Sequence, residues 1–282
     1  MRVRAFAKIN RSLRVLGTRA DGYHELRTVF QSIALHDTLT IRTIRGPFRL
    51  TCDHPACPTD GTNLIARAAA AMWTAAGRRG APRDVAIDLR KRIPMQAGLG
   101  GGSSDAAAAL RALARRWRIG DAKARAAAAA LGADVPYFFE GGAALGLERG
   151  DLLFPLRDPP GAWVVLVLPD FGVSTKEAFA WFDGSKARLA LRKHERLGFR
   201  EMVNDLERPV VAQHPEIGRI ISALERAGAS QAAMSGSGSA VFGLFSSRPA
   251  AIRAATRAAS ASRRTLVTRT LNRQSYQTLA AT

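Results

Sequence analysis

Apolar residues alternate with polar ones in short runs near Arg2–Phe6, Leu13–Leu16, Leu26–Ile33 and Thr38–Thr43, which predicts four strands with one buried face each. Alanine-rich segments of good helix formers predict helices over Asn63–Ala76, Ser103–Trp117 and Asp121–Leu131. Val85–Leu89 reads as a strand feeding a glycine-rich loop. Ala143–Leu147 and Leu152–Leu156 flank Glu148-Arg149-Gly150-Asp151 as the arms of a hairpin. A turn cluster, Arg157-Asp158-Pro159-Pro160-Gly161, then precedes the unbroken apolar run Trp163–Leu168, a buried type of strand. Helices at Thr175–Phe182 and Pro215–Ala227, a strand at Ala240–Phe245, a helix at Pro249–Ser260 and a strand at Thr265–Leu271 complete the pattern. No repeat and no long linker interrupts it. Helices and strands mix without regular βαβ alternation, so the expected class is α+β in two lobes, residues 1–157 and 158–282.

Composition narrows the class. With 47% hydrophobic and 23% charged residues over 282 positions, the chain has the makings of a core and is not a disordered tail. No apolar stretch reaches the roughly 18–20 residues that span a bilayer, and the N-terminal segment lacks the apolar core of a signal peptide. A cytoplasmic location is expected. The two cysteines, Cys52 and Cys57, are too few for a disulfide framework, and with His54 alone beside them they make poor zinc ligands.

Charge is the outlier. The net charge is +19, and no acidic residue follows Glu225, whereas eight arginines do. Such a balance draws polyanions, an anionic substrate and RNA alike. The arginines are nevertheless scattered among alanines, with only 7% aromatics to stack on bases, which fits a coding bias better than a nucleic-acid patch.

The chemistry concentrates in four segments. The strongest is Pro94-Met95-Gln96-Ala97-Gly98-Leu99-Gly100-Gly101-Gly102-Ser103-Ser104, set between a strand and a helix. Its glycines let backbone N–H groups approach a ligand, the helix N-terminus adds partial positive charge, and the serines offer hydroxyls to phosphate or Mg²⁺. It lacks the Gly-Lys-Ser/Thr ending of a P-loop and the glycine spacing of a dinucleotide fingerprint. A second glycine turn, Met234-Ser235-Gly236-Ser237-Gly238, lies between two strands and could grip a polyphosphate from the other side. Lys8 stands in an apolar strand, where a charge needs an anionic partner. Asp134 is a lone carboxylate at a helix end before Val135-Pro136.

Together these segments resemble the GHMP kinase superfamily. The resemblance rests on Ala7-Lys-Ile-Asn10, Arg19-Ala-Asp-Gly-Tyr-His-Glu-Leu26, Thr28-Val-Phe-Gln31, Gly98–Ala107, Gly132-Ala-Asp-Val-Pro136 and Met234–Gly238, in that order along the chain. The Gly-Tyr-His stretch and the triple glycine point to the branch that phosphorylates a cytidine diphosphate alcohol. The resemblance implies a first lobe like domain 2 of ribosomal protein S5 and a ferredoxin-like second lobe, with ATP and substrate in the cleft between them. It implies transfer of the ATP γ-phosphoryl group to the tertiary 2-hydroxyl of a diphosphocytidyl methylerythritol, as a step of non-mevalonate isoprenoid synthesis. The loop Pro94–Ser104 would cradle the ATP phosphates with Mg²⁺, and adenine would lie near Asn63 and Leu64. Asp134 would accept the hydroxyl proton beside Lys8. Tyr23 and Phe179 would sandwich cytosine and His24 would read its edge. Asn10, Thr175, Phe30, Ser235 and Gly236 would complete the substrate site.

Two positions depart from that pattern: Arg11-Ser12, where a small or apolar residue is usual, and Gln96, where glycine or another small residue is common. The rival readings are a GHMP kinase for another small alcohol, which the Gly-Tyr-His stretch opposes, and a basic RNA-binding protein, which has no use for a phosphate loop paired with Asp134 and Lys8. The expected partners are therefore small molecules, with no membrane and no specific nucleic acid, in a monomer or dimer.

Overall fold

The computed structural model describes residues 1–185 and 202–281. Its first two strands are longer than the alternation predicts. Arg2–Phe6 and Leu13–Leu16 are the ends of one strand, β1 (Arg2–Thr18), and the next two runs merge into β2 (His24–Pro47). Polar residues that break the alternation, Lys8, Asn10 and Ser12 on β1 and Ser32 and Asp37 on β2, are buried inside these strands. Lys8, Asn10, Ser32 and Asp37 have side-chain partners there, so the chain continues as strand where periodicity alone predicts a gap.

β1 pairs with one edge of β2 along residues 24–40, while the other edge takes β5 (Ala143–Glu148) and β4 (Arg83–Arg90). β3 (Arg49–Cys52), unmarked in the sequence, adds parallel to β4, and β6 (Leu152–Pro155) completes the expected hairpin with β5. Helices α1 (Leu64–Ala75), α2 (Gly101–Trp117) and α3 (Asp121–Leu131) belong to this half, followed by the short α4 (Tyr137–Glu140). Every residue of α2 from Ser104 to Leu110 is buried, and its alanines are what let sheet and helices approach it closely.

The second sheet is antiparallel, in the order β10 (Arg263–Arg269), β7 (Trp163–Pro169), β9 (Val241–Phe245), β8 (Gln231–Met234). Helices α5 (Thr175–Gly184), α6 (Glu207–Gln213) and α7 (Pro215–Arg226) connect β7 to β8, and α8 (Arg248–Ala258) connects β9 to β10. That is the split βαβ arrangement of a ferredoxin-like layer, as expected. β7 is buried on both faces: Val165 and Val167 pack into the helices, while Val164, Leu166 and Leu168 face Ala7, Ile9, Ile33 and Leu99 of the first half. This shared core fixes one sheet against the other.

The closing helix, α9 (Arg273–Ala281), returns to the first sheet. Tyr276 is buried there against Phe6, and its hydroxyl donates to the Phe138 carbonyl at 2.6 Å. Gly141 permits this approach, since a Cβ there would lie 2.0 Å from the Tyr276 ring and its φ is +67°. No helix among the described residues is long and apolar enough to cross a membrane.

Candidate functional site

A cleft of about 1130 Å³ opens where the two halves meet. β1 and β2, the glycine loop, the turn after α3, the start of α5 and the second glycine turn all line it.

β1 has register shifts on either side of Lys8–Asn10, and such bulges re-aim side chains. Lys8 and Asn10, two apart, share one face of the strand. Lys8 Nζ donates to Asn10 Oδ1 at 2.6 Å and lies 3.3 Å from Asp134 Oδ2. Asn10 Nδ2 donates to Thr28 Oγ1 (2.8 Å), which donates to the Ser12 carbonyl (2.7 Å). The ammonium is thus buried with its anionic partner at the cleft edge: the Lys8 side chain is 5% exposed and that of Asp134 is 36% exposed. Asp134 sits in the turn between α3 and α4, which Val135 N–H closes onto the Gly132 carbonyl. The arrangement can hold a hydroxyl next to a carboxylate whose orientation a lysine fixes.

Gly98 and Gly100 both have left-handed backbone, and each is also sterically obliged to be glycine. A Cβ on Gly98 would fall 1.9 Å from the Ser235 carbonyl oxygen, and one on Gly100 would fall 2.8 Å from the Phe138 ring. The two glycine segments therefore interlock. Ser235 Oγ donates to the Gly98 carbonyl (2.9 Å), and Asn204 Nδ2 braces the second turn through the carbonyls of Met234 (2.9 Å) and Gly236 (2.8 Å).

Beneath the loop lies a buried charge cluster. Lys91 Nζ donates to Asp37 Oδ2 and, at 2.9 Å, to Asp105 Oδ2, while Asp37 Oδ1 also accepts from the backbone N–H groups of Arg92 and Ile93. Burial alone would lower the Lys91 ammonium, but the charges of Asp105 and Asp37 outweigh it and hold it above its usual range. Burial pushes the Asp105 carboxyl up, with Asp37 adding and Lys91 opposing. Asp105 Oδ1 is buried without a hydrogen-bond partner, and Asp105 and Lys91 both line the cleft.

At one end of the cleft Asn63 caps α1, accepting from Ile65 N–H at 2.8 Å, while its amide donates to the Pro58 carbonyl (2.6 Å) and to Cys57 Sγ (3.6 Å). Burial raises the Cys57 thiol to about 12. Aromatic groups also line the cleft. His24 stacks on Phe179 with ring centroids 4.5 Å apart, Tyr23 is 58% exposed, and Arg149 lies 5.4 Å over the Tyr23 ring.

Comparison with known proteins places this geometry. Residues 63–142 match the GHMP kinases N terminal domain and residues 179–263 the GHMP kinases C terminal model. The chain is 42% identical over 282 residues to a 4-diphosphocytidyl-2-C-methyl-D-erythritol kinase of Moorella thermoacetica, covering 95% of this chain and 98% of that protein. The chain belongs to the 4-diphosphocytidyl-2-C-methyl-D-erythritol kinase family of GHMP kinases. A relative of that name from Anaeromyxobacter dehalogenans is 44% identical over 258 residues, covering 87% of this chain and 80% of that protein. A crystal structure of 4-(cytidine 5'-diphospho)-2C-methyl-D-erythritol kinase superposes with a TM-score of 0.78 at 35% identity, over 96% of this chain and 99% of the other. Homoserine kinase from Cytophaga hutchinsonii shares the fold, at TM-score 0.70 and 18% identity over 98% and 96% of the two chains.

Nearly every residue that the GHMP kinase resemblance singles out lines the cleft, Lys8, Asn10, Tyr23, His24, Phe30, Asn63, Leu64, Pro94–Ser103, Asp134, Thr175, Phe179 and Gly236 among them. Two do not. The Ser104 hydroxyl donates to the Phe6 carbonyl at 2.7 Å inside the core, because Ser104 is on the buried face of α2. Ser235 is fully buried, and its hydroxyl serves Gly98 and the Asn10 N–H instead of the cleft. His24 covers one face of Phe179, the ring that the resemblance sets opposite Tyr23. The departures at Arg11 and Gln96 are accommodated locally. Arg11 Nε donates to Gln231 Oε1 (3.1 Å), and burial holds its guanidinium below its usual range. Gln96 has a φ of 51°, the conformation that explains why a glycine is common there.

Sequence reasoning missed Lys91, Asp105, Arg149 and Asp183 on the cleft wall, and Asn204 behind it. Lys91 and Asp105 flank the glycine loop, and charges set in apolar surroundings were the available signal. Nothing local marks Asn204 or Asp183, whose partners are far away in sequence.

Proposed function

We propose that the chain transfers the γ-phosphoryl group of ATP to the 2-hydroxyl of 4-diphosphocytidyl-2-C-methyl-D-erythritol, giving the 2-phosphate and ADP. The observation that carries this reading is the Lys8–Asp134 pair at the cleft edge beside the interlocked glycine loop, in a chain with close relatives of that name. Phosphoryl transfer asks a protein mainly for positioning and charge neutralisation. Asp134 accepts the hydroxyl proton, and Lys8 holds the carboxylate in place and faces the negative charge that develops on the attacking oxygen. The loop N–H groups and the N-terminus of α2 receive the phosphates, with Gly236 closing from the other side. Asn63 and Leu64 flank adenine, and Asn10 and Thr175 meet the polar part of the alcohol. We read residues 1–157 and 158–282 as the two lobes, with α9 returning to the first.

Magnesium is implied by the reaction class, and the residues present fit it. Asp105 brings a buried carboxylate oxygen without a partner to the cleft wall, and Ser103 lines the same wall with a hydroxyl; hard oxygen donors of this kind, few in number, suit Mg²⁺ bound largely through phosphates. Held by these residues, the ion would supply positive charge to the phosphate groups.

Two expected results check the reading. Purified protein supplied with ATP and Mg²⁺ should release ADP with the diphosphocytidyl alcohol and not with mevalonate or homoserine; the reverse preference would assign it to another branch of the superfamily. Gly101→Val should raise the Kd for ATP about tenfold while sparing the cytidyl substrate, because overpacking costs about 1–3 kcal/mol at a site with no room. The obstacle is steric and not conformational: Gly101 has ordinary helical backbone, but a Cβ there would lie 2.9 Å from both Ile93 Cγ2 and Lys91 Nζ. Calorimetry with each ligand in turn measures both affinities, and an equal loss of both would detach this loop from ATP.

A further inference from the structure

The His24 ring is held at two points by one helix face. Phe179 and Asp183 lie one turn apart on α5, so their side chains project from the same side. Phe179 stacks on the imidazole at 4.5 Å with the planes 17° apart, and Asp183 Oδ1 lies 3.0 Å from Nε2. Phe182 adds an edge contact at 6.4 Å. His24 begins β2 in the first half of the molecule and α5 belongs to the second, so the clamp bridges the mouth of the cleft. His24 and Asp183 both line that cleft, and among the described residues Nδ1 has no hydrogen-bond partner.

A carboxylate can only accept, so a neutral imidazole beside it carries its proton on Nε2 and leaves Nδ1 as a bare acceptor. We infer that Asp183 is a specificity-determining positioning residue: by accepting the Nε2 proton of His24, it presents Nδ1 as an acceptor that suits the exocyclic amino group of cytosine and rejects the carbonyl that uracil carries at the same place. The inference rests on the proposed function, because it takes a cytidine diphosphate group as the ligand. Stacking is indifferent to base identity, so the choice between the two pyrimidines falls to polar edge contacts of this kind. An acceptor facing the uracil carbonyl leaves two lone pairs opposed and both groups unpaired.

The test is competition of CDP and UDP against the alcohol substrate, on the wild-type chain, Asp183→Ala, His24→Ala and the double variant. Wild-type turnover in the same assay checks the proposed function separately. The CDP-over-UDP preference should fall about fivefold in Asp183→Ala, the size of one net hydrogen bond, and Asp183→Ala should add nothing in the His24→Ala background. Nitrogen-15 NMR of histidine-labelled protein should show His24 protonated at Nε2, with that state weakened in Asp183→Ala, which a merely structural role would not produce. An unchanged preference in Asp183→Ala, additive effects in the double variant, or a His24 protonated at Nδ1 would each overturn the inference.

Discussion

Asp134→Asn will fold like the parent chain, bind ATP with the same affinity and lose turnover by about 10²-fold or more, the range for removal of a positioned base. The amide has the shape of the carboxylate, and its oxygen can still accept from Lys8 Nζ, now 3.3 Å from Asp134 Oδ2. What disappears is the ability to take a proton from the attacking hydroxyl. The turn that carries Asp134 is closed by backbone hydrogen bonds of its neighbours, so the substitution leaves the local fold alone. Steady-state kinetics with saturating ATP, together with calorimetry for ATP, make the measurement. Turnover near that of the parent chain in a well-folded variant would remove Asp134 from the mechanism.

Lys91→Met will destabilise the chain by about 3–5 kcal/mol, the cost of leaving buried carboxylates without their cation. Lys91 pairs with both Asp37 and Asp105, and all three side chains are almost wholly enclosed, at 5%, 0% and 4% exposure. Methionine fills much of the same volume, so cavity formation contributes little and the loss is electrostatic. Asp37 also receives the N–H groups of Arg92 and Ile93, which lead into the glycine loop, so the damage reaches the glycine-loop wall of the cleft. Denaturant unfolding reads the loss, and Asp105→Asn in the same chain should restore part of it by removing one uncompensated charge. A loss within the roughly 1 kcal/mol of an exposed ion pair would mean that water reaches the cluster.

The fold was legible where period and punctuation agree. The alanine helices, the hairpin around Gly150 and the run Trp163–Leu168 stand where the pattern puts them, because each buries an apolar face that the sequence displays. The pattern failed where polar residues enter strands. Lys8, Asn10 and Asp37 break the alternation, yet they lie in mid-strand because partners from distant segments satisfy them, and periodicity carries no information about such partners. Short pieces such as β3, β8 and α4 are held by their neighbours and have no period of their own. The site was legible through its glycines, since only a residue without a Cβ fits at Gly98 and Gly100. It was illegible in depth: a serine after a glycine loop looks like a phosphate ligand, and only packing reveals that Ser103 faces the cleft while Ser104 faces Phe6.

On the proposed function, Lys8, Asp134 and the glycine loop serve transfer of phosphate to one hydroxyl of a cytidyl alcohol. Phosphorus-31 NMR of the reaction mixture, with ATP, Mg²⁺ and 4-diphosphocytidyl-2-C-methyl-D-erythritol, tests it most directly. ADP and one new phosphate monoester on the tertiary 2-hydroxyl are expected, with the diphosphate bridge intact and the monoester forming about 10²-fold more slowly with Asp134→Asn. ATP left unchanged beside the intact alcohol, or phosphate released from the diphosphate bridge, would contradict it.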